Sequence, residues 1–240
     1  MIYITGDVHA DIKEFESRDY RHIRRDDSII VCGDFGILWD GSRAEQKNIK
    51  SLGRKSHRTL FVDGSHENFD LLGKYPVTEW NGGKVQVLSR NLMHLCRGQV
   101  FDIDGKKIFV FGGGESTDKE LRTEHETWWP QEMPSPDEMR EGIENLERCG
   151  RKVDYIVTYD VPSAFKRLME AEVTRLSPLN VYLDKIRENC TYDKWFFGCY
   201  HKNKRLSQNT QALFNAVEIL GVPKGRRDRG SDARQKDGRE

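Results

Sequence analysis

Five short apolar runs in this 240-residue chain each stop at a cluster of polar, chemically active residues. Ile2 to Thr5 precedes Gly6-Asp7-Val8-His9, Ile29 to Cys32 precedes Gly33-Asp34, and Leu60 to Asp63 precedes Gly64-Ser65-His66-Glu67. Tyr155 to Thr158 precedes Tyr159-Asp160, and Trp195 to Phe197 precedes Gly198-Cys199-Tyr200-His201. Runs of this length, rich in β-branched and aromatic residues, read as strands buried on both faces. Open α/β sheets bind ligands in the crevice beyond the carboxyl ends of such strands, so these carboxylates and imidazoles are expected to meet in one place. Mixed oxygen and nitrogen donors converging from several strands describe a metal site.

The spacing between runs fills in the layers. A charged segment from about Asp11 to Arg24 and a second from about Ala44 to Lys55 are read as helices, which makes the first part a βαβ succession. Between Lys84 and Gly114 the pattern changes to Val85 to Leu88, Gln99 to Ile103 and Lys107 to Phe111, with Asp104-Gly105 as a hairpin turn. Antiparallel strands forming or extending a second sheet are expected there. Glu124 to Pro136, containing Trp128-Trp129-Pro130, reads as an irregular loop whose aromatics either shape a pocket mouth or anchor the loop. Ser135-Pro136-Asp137-Glu138 is a helix start by its cap and first-turn acids, with the helix running to about Arg148. Helices from about Ser163 to Glu172 and Leu179 to Glu188 separate the last motif-bearing strands. Residues 1–222 are read as one α/β domain. The polar stretch 223–240 is read as a disordered tail, too poor in apolar residues to offset its ordering entropy.

Composition excludes several classes. Lysine plus arginine is 39 and aspartate plus glutamate is 39, so the net charge is zero and no basic stripe favours nucleic acid as a partner. The tail arginines Arg226, Arg227 and Arg229 are interleaved with acids and read as solvated. No apolar run approaches the roughly 20 residues of a membrane span. The five cysteines are odd in number and scattered, which argues for a reducing compartment and a cytoplasmic location. His22 and His57 are read as surface residues, and His94 and His125 have no motif context.

In order and spacing the five clusters resemble the calcineurin-like metallophosphoesterases, whose pattern is GDxH, GD, GNH[DE], a lone histidine and GHxH. The resemblance runs over residues 1 to about 220, and the Trp128-Trp129 loop is similar to that of small bacterial members. It implies a four-layer αββα sandwich of two mixed sheets flanked by helices, and hydrolysis of phosphomonoesters or phosphodiesters at a pair of divalent ions, manganese, iron, zinc or nickel. Carried over by position, Asp7, His9 and His201 hold the first ion and Asp34 bridges both. His66 contacts the phosphate and assists the leaving oxygen, with Glu67 as its orienting partner.

Three positions depart from the pattern. Ser65 replaces the asparagine of GNH[DE], Tyr159 the lone histidine, and Cys199 the first histidine of GHxH. In the family these supply the second ion's own ligands, so the first site is complete while the second retains only Asp34. A serine hydroxyl is a poor ligand, and a tyrosine must lose a proton with a reference pKa near 10 to bind well. Cysteine thiolate is a strong zinc ligand, so a remodelled second site through Cys199 stays open, although Cys199 as a buried small hydrophobe and Tyr159 as a volume filler are the favoured readings. One ion is expected, with weakened hydrolysis. The alternative is a catalytically impaired relative that binds a phosphate-bearing ligand or a protein.

Overall fold

The computed structural model describes residues 1–170 and 175–220. The chain runs through β1 (Ile2–Thr5), two 3-10 turns (Ile12–Glu16 and Arg18–Tyr20), β2 (Ser28–Val31), α1 (Arg43–Gly53), β3 (Arg58–Phe61) and α2 (Phe69–Leu72). There follow β4 (Val77–Trp80), β5 (Gly83–Ser89), β6 (Leu92–Leu95), β7 (Gln99–Ile103) and β8 (Lys106–Phe111). After an irregular segment come α3 (Pro136–Arg148), β9 (Tyr155–Thr158), α4 (Ser163–Met169), α5 (Pro178–Asn189), β10 (Lys194–Phe197), β11 (Lys204–Arg205), β12 (Thr210–Ala212) and β13 (Glu218–Leu220). The tail at 223–240 and the end of the helix expected to reach Glu172 lie outside the described residues.

Two mixed sheets result, ordered β13-β1-β2-β3-β6-β5-β4 and β11-β12-β10-β9-β8-β7. In the first, β1, β2, β3 and β6 are parallel, and in the second β8, β9, β10 and β12 are. Side chains alternate between faces along a strand, and here both faces of the central strands are covered. Ile4, Ile30 and Leu60 meet Ile108, Val110, Val157 and Phe196 between the sheets. Ile29, Val31 and Phe61 pack outward with Ile49 and Leu52 of α1. Phe109, Ile156 and Trp195 pack outward with Leu146 of α3 and Leu183 and Ile186 of α5. The architecture is therefore helix, sheet, sheet, helix, and the motif-bearing strands are buried on both sides. Among the described residues no helix is long and apolar enough to cross a membrane.

All the described α-helices except α4, which follows Pro162, start at a side-chain cap. Ser42 accepts from the Glu45 amide at the head of α1, and Ser135 with Glu138 forms a reciprocal capping box at α3. In the β7–β8 hairpin, Asp104 and Gly105 both have positive φ, as a type I′ turn requires.

Two expectations are corrected. The segment from Asp11 to Arg24 is not an α-helix but two 3-10 turns broken at an extended Ser17. The apolar pairs that reach the core, Ile12 with Phe15 and Tyr20 with Ile23, are each three residues apart, the repeat of a 3-10 turn. The strands from Val77 to Phe111 also divide differently: β4, β5 and β6 complete the first sheet, with β6 parallel to β3, and of this stretch only β7 and β8 belong to the second.

Candidate metal centre

The loops beyond β1, β2, β3, β9 and β10 meet at one edge of the two sheets. Val8 and His9 donate their amides to the Asp34 carbonyl at 3.3 and 2.9 Å, and Ala10 donates to that of Phe35 at 2.8 Å, so the first two loops are laced together. His9, Asp34, Cys199 and His201 adopt φ of 47°, 40°, 70° and 47°. Non-glycine residues in this region each cost on the order of 1–3 kcal/mol and concentrate at functional sites. A Cβ at Gly64 would run into the Asp34 carboxylate and one at Gly198 into that of Asp7. The backbone itself thus walls both acids into place.

Asp7, His9, Asp34 and His201 each offer a ligand atom, all within 4.8 Å of one another. The His9 and His201 Nε2 atoms lie 2.9 Å apart, and Asp7 Oδ2 is 3.5 Å from His201 Nε2. Asp7 Oδ1 accepts the Cys199 amide at 3.1 Å, whereas Oδ2 is buried with no hydrogen-bond partner among the described residues. Burial and then the Asp34 charge push the Asp7 pKa well up, and burial lowers that of His9. An orphaned carboxylate oxygen beside two facing imidazole nitrogens is a donor set that fits a divalent ion, and mixed oxygen and nitrogen ligands suit manganese, iron, zinc or nickel.

The three substituted positions surround Asp34 differently. Tyr159 is 3% exposed, and its ring lies so close to Gly33 and Gly114 that a Cβ on either would overlap it. Its hydroxyl donates to Asp34 Oδ2 at 2.8 Å and lies 2.9 Å from Ser65 Oγ. Burial, reinforced by the neighbouring Cys199 and Asp34, raises the phenol pKa far above normal, and burial with Asp160 and Asp7 does the same to the Cys199 thiol. Both groups remain protonated.

Asp34 Oδ2 also accepts from His66 Nδ1 at 2.7 Å, while Oδ1 accepts the His66 amide at 2.8 Å. Burial raises the Asp34 pKa, but His66 and the Tyr159 hydroxyl outweigh it and the net shift is downward. The hydrogen bond to Asp34 is the largest influence on His66, whose pKa is raised.

Glu67 departs from its expected role. It turns away from the His66 ring and, almost fully buried, accepts the Phe35 and Gly36 amides at 2.8 and 3.2 Å. It therefore holds the Asp34 loop, and Asp34 itself orients His66. Trp129 acts as an anchor: it is 1% exposed, donates Nε1 to Asp70 at 2.8 Å and packs edge-on against Trp39.

Sequence reasoning missed two groups. Asp63, at the base of the His66 loop, accepts from His94 at 2.9 Å and from Arg97 Nε at 2.9 Å; the three line a cleft of about 340 Å³. Arg122, from the irregular segment after β8, brings Nη2 to 2.9 Å from His66 Nε2. The alternation of β6 could have placed His94 inward, but nothing local marks Arg122. Of the other histidines, His22 is exposed, His57 is half-buried rather than a surface residue, and His125 pairs with Asp70 at the rim.

Of the comparisons with known proteins, a family model alone bears on this geometry. No curated protein sequence matches the chain. Among solved structures, phosphopantetheinyl hydrolase from Mycobacterium tuberculosis is similar at 14% identity over 89% of each chain, with a TM-score of 0.44, too loose a likeness to inform on substrate. A family model described as calcineurin-like phosphoesterase matches residues 1–198. That match covers most of the chain, including the loops of Asp7, His9 and Asp34, and ends just before the His201 loop; the chain belongs to the calcineurin-like phosphoesterase family.

Proposed function

We propose that this protein is a metal-dependent phosphoesterase working with one divalent ion, held by Asp7, His9 and His201 with Asp34, where its relatives use two. The observation that carries this is the Tyr159 hydroxyl on Asp34 Oδ2, with its ring filling the space beside Gly33. Family membership supports phosphate esters as substrates. All five cysteines are free, in keeping with a reducing, cytoplasmic setting.

A bound divalent ion supplies Lewis-acid stabilisation of charge building on the phosphoryl oxygens. The chain's own residues do the rest. Asp34 accepts from His66 Nδ1 and fixes the ring so that Nε2 faces the pocket. Nε2 accepts from Arg122 Nη2; once that contact is released, the imidazolium form, which the raised pKa favours, carries on Nε2 a proton that can be delivered to the departing ester oxygen. Tyr159 and Ser65 hold Asp34 and His66 in register through the 2.9 Å contact between their oxygens. Lacking the two-sided clamp of an ion pair, this site is expected to turn over slowly. A second reading, a phosphate-ligand or protein-binding module with a structural ion, draws on the same plugged position. The retained, oriented His66 favours the enzyme, since binding alone needs no proton donor at that place.

The test is metal content per chain, followed by hydrolysis of chromogenic phosphate mono- and diesters with added manganese. About one ion and slow, metal-dependent hydrolysis are expected. Two ions with rapid turnover would contradict the proposal, and one ion without hydrolysis would favour the binding module.

A further inference from the structure

Arg122 lies outside every motif-bearing loop, yet its side chain is only 16% exposed and enters the site. Nε pairs with Asp118 at 2.9 Å, Nη1 donates to the Thr127 carbonyl at 3.2 Å, and Nη2 lies 2.9 Å from His66 Nε2. A guanidinium has donors only, so Nε2 is the acceptor in that contact and the His66 proton sits on Nδ1, facing Asp34. The His66 ring is 5.8 Å from that of His9, which places Arg122 one imidazole away from the Asp7–His9–Asp34–His201 cluster. Trp129, bonded to Asp70, anchors the same segment. The charge is thus held in place by its surroundings.

We propose that Arg122 is a phosphate-binding residue: its guanidinium grips a phosphoryl group seated against the Asp7–His9–Asp34–His201 cluster, supplying positive charge to a site whose second cation position Tyr159 fills. The inference rests on the phosphoesterase reading of this pocket. A planar fork matches phosphate oxygens in two places and keeps its charge at any working pH, which a neutral donor cannot do. The His66 contact holds the fork pointed at the pocket; a phosphate oxygen would take that donor over, accepting from Arg122 Nη2 in place of His66 Nε2. Asp118 and Thr127 position the guanidinium from behind.

The experiment titrates inorganic phosphate calorimetrically into the full chain, with manganese and after chelation, for the wild type and for Arg122→Met, Arg122→Lys and Asp118→Asn. Manganese content and thermal midpoint are recorded for each. Loss of the fork is expected to weaken phosphate binding about tenfold or more in Arg122→Met, as for a charge-assisted hydrogen bond, with manganese content unchanged. Arg122→Lys should fall between, and Asp118→Asn, which keeps the guanidinium, should stay within about threefold of the wild type, the scale of an exposed ion pair. If Arg122 only stitched its loop, Arg122→Met and Asp118→Asn would lower the thermal midpoint alike and leave phosphate affinity unchanged; that result overturns the proposal. Tighter binding in Arg122→Met, marking a cap on His66, also overturns it, as does a wild type that binds no phosphate in either state. Arg122-dependent phosphate binding without any manganese uptake would uphold Arg122 and sink the metal reading instead.

Discussion

Tyr159→Phe removes one oxygen and leaves a ring of the same shape in the same slot. The lost hydroxyl makes two contacts, 2.8 Å to Asp34 Oδ2 and 2.9 Å to Ser65 Oγ. A hydrogen bond to a charged acceptor contributes about 1.5–3 kcal/mol and a neutral one about 0.5–1.5 kcal/mol. Neither partner is orphaned: Asp34 keeps the His66 amide and Nδ1, and Ser65 Oγ keeps its 3.2 Å contact with His66 Nδ1. The expected loss is therefore near the lower end of the sum, about 2 kcal/mol. For a chain of this size that is a fall in Tm of about 4–8 °C. The assay is calorimetry on chelated protein, with a manganese-loaded sample in parallel. Because phenylalanine fills the same volume and offers no ligand, the variant should still bind one ion. An unchanged Tm would mean that the hydroxyl does not hold Asp34. Two bound ions in the variant would mean that the ring does not close the second position.

Restoring Ser65→Asn, Tyr159→His and Cys199→His together should admit a second ion and raise hydrolysis at least about tenfold, since about 1.4 kcal/mol of transition-state stabilisation suffices; initial rates with metal content check this. Asp63→Asn leaves the buried Arg97 charge with only its 3.4 Å ion pair to Glu138 and should cost about 3 kcal/mol at neutral pH by urea denaturation. Burial raises the Asp63 pKa, but Arg97 and His94 more than reverse it and hold it below the ordinary value. The stability it contributes is thus fully present above about pH 4 and is lost as pH falls through the lower folded value, so wild type and variant should converge in acid. Glu14 is opposite in sign: burial, then Asp11, raises its pKa to about 7. Its ionisation costs stability as pH rises from the unfolded value toward 7, so Glu14→Gln should be the more stable protein at pH 8 and equal to the wild type at pH 4, read by thermal midpoints.

The parts of this fold legible in the sequence are those in which a local pattern and a tertiary demand coincide. Ile2 to Thr5, Ile29 to Cys32, Tyr155 to Thr158 and Trp195 to Phe197 are strands covered on both faces, so each is apolar apart from a closing threonine in two of them, and each ends abruptly at its chemistry. The α3 start at Ser135 is equally local, because cap, proline and returning glutamate lie within four residues. What could not be read depends on distant partners. The direction of Glu67 is set by the Phe35 and Gly36 amides, more than thirty residues away in sequence. Arg122 reaches His66 across 56 positions from a segment with no periodicity. The 3-10 turns before β2 went unrecognised because a charged segment with a few apolar residues resembles an amphipathic helix until the three-residue spacing is weighed against 3.6.

In the proposed site one cation position is complete and its neighbour is filled by a tyrosine ring. Anomalous diffraction from crystals grown with manganese distinguishes one occupied position from two. A single strong peak among Asp7, His9, Asp34 and His201, with the Tyr159 hydroxyl on Asp34, is the expected result. Two peaks of comparable height on either side of Asp34, with the Tyr159 ring displaced, would contradict it.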